Sequence, residues 1–260
     1  MVITSVSNPR IKEAILIKKR HVFYKNEAFL AEGLKVVLMA LDAGAGIKRL
    51  FYTSDNAASI ERINTGAFET IEVSGHVIDK LSDTQTPQGV IAIVRKDVPP
   101  LQELVIDTTA LVVVCDRVRD PGNCGAIIRT ADALGASAVV VLPQTCNPFS
   151  PKVVRATAGS IFNLPVVYAS AEELLSWVRQ RAITLAVTTP HAGTTINKAN
   201  LALPLALVVG EEAAGIDPGL IDRAALSVNI PMIGGAESLN VATCIAICLY
   251  EAQRQRKKWS

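Results

Sequence analysis

Four continuous apolar runs in the second half of the chain constrain its fold more than any other feature. They are Ala110-Leu-Val-Val-Val-Cys115, Ala138-Val-Val-Val-Leu142, the stretch 183–187, and Leu205-Ala-Leu-Val-Val209. A strand with one wet face alternates apolar and polar residues, whereas an unbroken run marks a strand covered on both faces. Helical segments are predicted between the runs, at 125–134, 171–181 and 218–224. The pattern predicts a parallel sheet with helices on both sides. A long last helix is predicted from 239 to about 258. Ser238 would cap it, and Val241, Ala242, Ile245, Ala246, Leu249 and Ala252 would form its apolar stripe.

The first half, 1–96, reads as a small α/β layer structure. Ser7-Asn-Pro9 is a helix start, with Ile11, Ala14 and Ile15 following at helical spacing. Strands are predicted at 28–31, 47–53, 70–73 and 89–95, and a helix at 33–41. Paired prolines in Asp97-Val-Pro-Pro-Leu-Gln-Glu read as a linker over 97–106, with a second domain from 107 to 260.

The 260 residues are half hydrophobic and 19% charged, which excludes a disordered chain. No apolar run approaches the roughly 18–20 residues that cross a bilayer. Residues 1–10 lack the apolar stretch of a signal peptide, so a cytoplasmic protein is expected. None of the five cysteines forms a C-x2-C pair and the three histidines are scattered, so no metal site is expected. Cys244 and Cys248, four apart, would share a helix face as two small buried thiols.

Net charge is only +2, but it is unevenly spread. Residues 1–25 hold six basic and one acidic residue, and 251–260 hold four and one, around an acidic middle. Basic ends on an acidic body fit a phosphate-binding surface or, equally, solvated helix faces. Arg10, Lys12, Lys18, Lys19 and Arg20, with the basic residues of 254–258, are the candidate grips on a nucleic-acid backbone.

In an open parallel sheet, ligands bind beyond the strand C-termini. Three segments there carry the chemistry. After Cys115 comes Asp116-Arg-Val-Arg-Asp-Pro-Gly-Asn-Cys-Gly-Ala-Ile-Ile-Arg129. Pro121-Gly122 forces a turn, Asn123 is placed as a helix cap, and Arg117, Arg119 and Arg129 crowd one edge, as suits phosphate recognition. Taken alone, Arg129 is better explained by a surface salt bridge. After Val209 comes Gly210-Glu-Glu-Ala-Ala-Gly215. Two carboxylates repel phosphate but suit a cationic ligand; a helix-capping turn is the alternative. The third segment, Asn229-Ile-Pro-Met-Ile-Gly-Gly-Ala-Glu-Ser-Leu-Asn-Val241, joins a strand end to a capped helix. No G-x-x-x-x-G-K-[ST], G-x-G-x-x-G or G-x-S-x-G motif is present, which argues against a triphosphatase, a dinucleotide oxidoreductase and an α/β-hydrolase.

With these segments in view, the chain resembles the SpoU (TrmH-like) RNA ribose 2′-O-methyltransferases of the SPOUT superfamily. The motifs are Pro121-Gly-Asn123-Cys-Gly125-Ala-Ile-Ile-Arg129-Thr-Ala131, then Gly210-Glu-Glu212-Ala-Ala-Gly215, then Ile230-Pro-Met232 with Ser238-Leu-Asn-Val241. All three lie in the family's order within about 107–256. The first half is similar to the family's ribosomal-protein-like substrate-binding domain, most clearly at Phe29-Leu-Ala-Glu-Gly33.

The resemblance implies an α/β fold with a deep trefoil knot, a homodimer, an RNA substrate with ribosomal RNA ahead of transfer RNA, and S-adenosylmethionine as cofactor. It implies that Gly210, Ile230, Met232 and Leu239 contact the cofactor. It gives Asn123, Arg129, Glu212, Ser238 and Asn240 catalytic roles, with Arg10, Lys18, Lys19, Arg20 and Arg117 on RNA. Arg129 would either accept the ribose proton or fix the neighbouring phosphate. The first is awkward for a group whose pKa exceeds 12. One departure stands out: Glu211 and Ala213 occupy positions where the family carries a small or polar residue and a glycine. That departure keeps an alternative open, a non-catalytic RNA-binding or ribosome-associated protein retaining the fold.

Overall fold

The computed structural model describes residues 2–19, 27–63, 66–211 and 215–256. The chain forms two compact units, 1–97 with 149–162, and 98–148 with 163–260.

In the first unit, helix α1 (Pro9–Lys19) starts where Asn8 Oδ1 accepts the Arg10 N–H at 2.9 Å, with Pro9 in the first turn. Ile11 and Ala14, three apart, are fully buried. They join a core with Val77, Ile78 and Leu81 of the helix Gly75–Leu81. The sheet orders its strands β1 (Ala28–Glu32), β4 (Val90–Arg95), β2 (Ile47–Tyr52) and β3 (Glu69–Glu72), the last pair parallel and the others antiparallel.

Two candidate RNA grips on α1 are engaged within the fold. Lys18 Nζ lies 2.8 Å from Asp83 Oδ1 and also donates to the carbonyls of Lys80 and Ser82. Arg10 Nε lies 2.7 Å from Glu69 Oε1. Acceptors across the helix packing capture these cations, and sequence spacing along α1 cannot reveal them. Lys12 and Lys19 are exposed; Arg20 lies outside the described residues.

The stretch 149–162 folds with the first unit, although its motif neighbours lie in the second. Its helix Pro151–Ala156 packs on the strand Ala28–Glu32. There Arg155 Nη1 meets Glu32 Oε2 at 3.0 Å, and Ser82 and Thr84 hydroxyls also donate to Glu32. Phe149 packs 5.1 Å from Phe29 between ring centroids, and Lys96 Nζ lies over the Phe149 ring, 5.1 Å from its centroid. Among the described residues, this segment supplies the charged partner of the buried Glu32 carboxylate.

The second unit holds the expected parallel sheet. Its seven strands are β5 (Leu111–Asp116), β6 (Ala138–Val141), β7 (Val166–Tyr168), β8 (Thr184–Thr188), β9 (Thr194–Thr195), β10 (Leu205–Gly210) and β11 (Leu226–Asn229). The order is β7-β6-β5-β10-β8-β11-β9, with every pairing parallel. The strands β5, β6 and β10 are buried along nearly their whole length, as their unbroken apolar runs require. The stretch expected as a linker is partly core: Leu101 and Leu104 are 1% and 3% exposed in this unit's apolar cluster.

Helix α5 (Pro121–Ala133) packs against helix α9 (Val241–Gln255). Both caps differ from the sequence reading. Asp120, not Asn123, caps α5, accepting the Asn123 N–H at 2.8 Å; Pro121 occupies the first helical position, so the cap lies just before it. Asn240, not Ser238, caps α9, accepting from Ala242 and Thr243 N–H groups. No helix among the described residues is long and apolar enough to cross a membrane.

Candidate active site

The ends of β10 and β5 are locked in register, Gly210 opposite Asp116. Asp116 is 4% exposed. Its Oδ2 accepts the Asp217 N–H at 2.7 Å, which ties the end of β5 to the loop beyond β10. Burial pushes this carboxyl above its ordinary pKa, with the Asp217 N–H and Arg117 opposing.

Gly210 is required where it stands. A Cβ there would lie 2.4 Å from the Gly215 carbonyl oxygen and 2.7 Å from the Ile216 nitrogen. These are backbone atoms that cannot swing aside, so only glycine lets the loop close over the strand end. The loop is pinned by the Gly215 N–H donating to the Glu211 carbonyl at 2.8 Å.

Beside Gly210 opens a cleft of about 140 Å³. One water takes roughly 30 Å³, so this is larger than a packing defect. Gly210, Ile230, Met232, Ser238 and Leu239, drawn from two motifs, all line it. Asn123 and Asn240 do not, but they meet directly: Asn240 Nδ2 donates to Asn123 Oδ1 at 2.8 Å. This bond joins the first motif to the third across 117 residues. Arg129 is exposed on α5, does not line the cleft, and has no hydrogen-bond or ion-pair partner among the described residues. Glu212 lies outside the described residues.

Arg117 is not placed to grip RNA. It adopts φ +57°, in the left-handed region uncommon for a side chain of its size. Its Nε lies 3.4 Å from Asp116 Oδ2, and Nη2 donates to the Gly215 carbonyl at 3.5 Å. A buried carboxylate next door recruits it as a brace for the two loops. At the other end of α9, Arg254 pairs with Glu251 at 2.7 Å, and Arg256 donates to four main-chain carbonyls. Arg256 is thereby held within the fold, whereas Arg254 stays 56% exposed.

Several lining residues escaped the sequence reading. Thr188 ends β8 and Thr189 and Pro190 follow it, and the rule of reading at and beyond strand ends, applied to that strand, finds them. Cys244 also lines the cleft, whereas Cys248 is fully buried. A hydrogen bond between the two thiols holds Cys244 below the ordinary thiol pKa and Cys248 well above it. No signal in the i, i+4 spacing reveals that only one of the pair faces a cavity.

The cleft fits a ligand with an apolar body and a positive charge. Ile216, Val228, Ile230, Leu239 and Val241 form apolar walls, and Glu211 is the one charged side chain among the described lining residues. Among the described residues no cluster of three His, Cys, Asp or Glu side chains is placed to hold a metal ion.

Comparison with known proteins agrees with this geometry. Residues 110–250 match the model of the SpoU rRNA Methylase family, and 8–92 match that of the MRM3-like substrate binding domain. The chain is 31% identical to the 23S rRNA (guanosine(2553)-2′-O)-methyltransferase RlmP of Bacillus subtilis, over 95% of this chain and 97% of that one. It is 33% identical to the 23S rRNA (uridine(2479)-2′-O)-methyltransferase of Streptomyces viridochromogenes, over 88% and 83%. The crystal structure of an AdoMet-bound rRNA methyltransferase from Sinorhizobium meliloti superposes with a TM-score of 0.88 at 34% identity, covering 98% and 97% of the two chains.

Proposed function

The chain belongs to the SpoU rRNA methylase family, and from that premise we propose its reaction: S-adenosylmethionine-dependent methylation of a ribose 2′-hydroxyl in ribosomal RNA. The observation that carries this reading is the convergence of three distant segments. Gly210, Ile230 and Ser238 line one cleft, and the Asn123–Asn240 bond closes its flank. Transfer RNA is second, because the relatives quoted above are named for 23S rRNA. A ribosomal substrate supports a cytoplasmic location as part of the same proposal.

When bound, S-adenosylmethionine supplies a methyl carbon made electrophilic by its sulfonium. The main chain at Gly210, the only residue type that fits there, with Ile230, Met232 and Leu239, would hold it. Ser238, exposed at the rim, would hydrogen-bond the incoming sugar. The Asn123–Asn240 pair fixes the loop that carries Ser238, and orientation of this kind is a large part of catalysis. Glu212, in the second motif, belongs to the same polar set by family resemblance.

Arg129 is assigned to the phosphate beside the target ribose. Arginine holds its proton, and an exposed guanidinium without a partner among the described residues is available to phosphate. Because it does not line its own chain's cleft, a homodimer in which a second copy completes the site is part of this proposal. The fully exposed Ile233 and half-exposed Tyr250 offer apolar surface for such a contact. The trefoil knot belongs to the same reading, by family resemblance. On the first unit, Lys12, Lys19 and Arg20 remain the candidate contacts to RNA backbone, joined by Arg10 at its exposed ion pair.

The test is incubation of the purified protein with S-adenosylmethionine carrying a labelled methyl group and with ribosomal RNA lacking modifications. Label is expected in one nucleotide, at a linkage that resists alkaline hydrolysis. Label in a base, or in transfer RNA alone, overturns the assignment. Uptake of the cofactor by calorimetry separates an enzyme from a binding protein that retains the fold.

A further inference from the structure

We propose that Glu211 is the charge selector of the cleft, favouring the cationic methyl donor over the neutral product left after transfer. This rests on the cofactor reading above. Loss of the methyl converts a sulfonium to a thioether, so donor and product differ by one positive charge at nearly constant shape. An apolar cleft cannot separate them well, but a fixed carboxylate can.

Three observations single out Glu211. It is the one charged side chain among the described residues lining the cleft. Its backbone is held by β10 on one side and by the Gly215 N–H on its carbonyl at 2.8 Å on the other. Its side chain is 26% exposed, so water screens it only in part. The neighbouring carboxylate Asp116 is already engaged by Arg117 and the Asp217 N–H and does not line the cleft.

The nearest cation is Arg119, whose Nε lies 3.7 Å from Glu211 Oε2. That is too long for a hydrogen bond. Arg119 is also 61% exposed, so it offsets the carboxylate weakly and leaves its charge available to a ligand. A selector of this kind lowers product inhibition without adding to the grip on the shared adenosine and amino-acid parts.

The test is calorimetric titration of the full-length protein with three probes: S-adenosylmethionine, S-adenosylhomocysteine, and sinefungin, which carries an ammonium in place of the methyl sulfonium. Glu211→Gln is expected to reduce the preference for both cationic probes over S-adenosylhomocysteine roughly tenfold, a change of about 1.4 kcal/mol. S-adenosylhomocysteine should bind as well as before, and Glu211→Asp should retain most of the preference. Arg119→Ala should raise the preference about twofold to threefold. Equal weakening of all three probes by Glu211→Gln would mean a role in shape and overturn the selector, as would a preference unchanged within twofold. If the unaltered protein binds none of the probes, the cofactor reading falls and the selector with it. Binding of all three with a ratio blind to Glu211 removes the selector alone.

Discussion

The two ends of α9 do opposite jobs. The helix has 15 residues, about 22 Å at 1.5 Å per residue, and spans the sheet from its ligand edge to the edge where the strands begin. At its start, Asn240 is exposed; its side chain caps the helix and also donates to Asn123. At its finish, Arg256 reaches the carbonyls of Thr109 (2.6 Å), Leu203 (2.5 Å), Leu201 and Ala110. Gln255 adds the Leu201 N–H and the Ala199 carbonyl, and Gln253, 5% exposed, donates to the Leu134 carbonyl. Desolvation draws the Arg256 guanidinium below its ordinary pKa, and Asp107 opposes it. One end is an exposed polar site and the other is a lock. A residue near the cleft can therefore be exposed and still be placed, because the helix behind it is anchored elsewhere.

Breaking the lock should have the largest effect. Arg256→Ala leaves several carbonyls without a donor and is expected to cost about 3 kcal/mol in denaturant unfolding. Arg256→Lys, which keeps the charge but not the fork, should fall between it and the unaltered protein. A loss no larger than that of a surface substitution would end the contrast between the two ends.

Gly210→Ala tests the site side of the comparison. Its Cβ meets main chain at 2.4 Å, so about 1–3 kcal/mol of overpacking is expected. Calorimetry should also show cofactor affinity lost by more than tenfold. Normal affinity would show that the loop can yield and that the close approach does not shape the cleft.

Asn240→Ala should cost about 1 kcal/mol through the lost cap. Its larger consequence is expected in turnover, with KM for the cofactor less affected than kcat. If kcat is retained, the Asn123–Asn240 bond does no positioning. Arg254→Ala, two residues from the lock, is the control: its exposed pair with Glu251 should leave the unfolding midpoint unchanged.

The same contrast explains what was readable along the chain. Strands with unbroken apolar runs are legible because burial on both faces is written into consecutive residues. Two of the three binding segments are legible because each follows such a run; the third follows the short mixed strand β11. Caps are less so: Asn123 and Ser238 have the right chemistry for capping, but Pro121 and the path of the third segment move the caps to Asp120 and Asn240. The segment 149–162 reveals its membership through Phe29 and Glu32, more than a hundred residues away.

The sequence alone determined the parallel sheet, the three loops at its ligand edge and the family, because these depend on residue type and short-range order. Tertiary structure decided which charges remain available. Lys18, Arg117 and Arg256 look like phosphate ligands in the chain, yet each finds an acceptor brought near by folding. A cation's role depends on what faces it across space, and that partner is chosen by packing rather than by neighbours along the backbone.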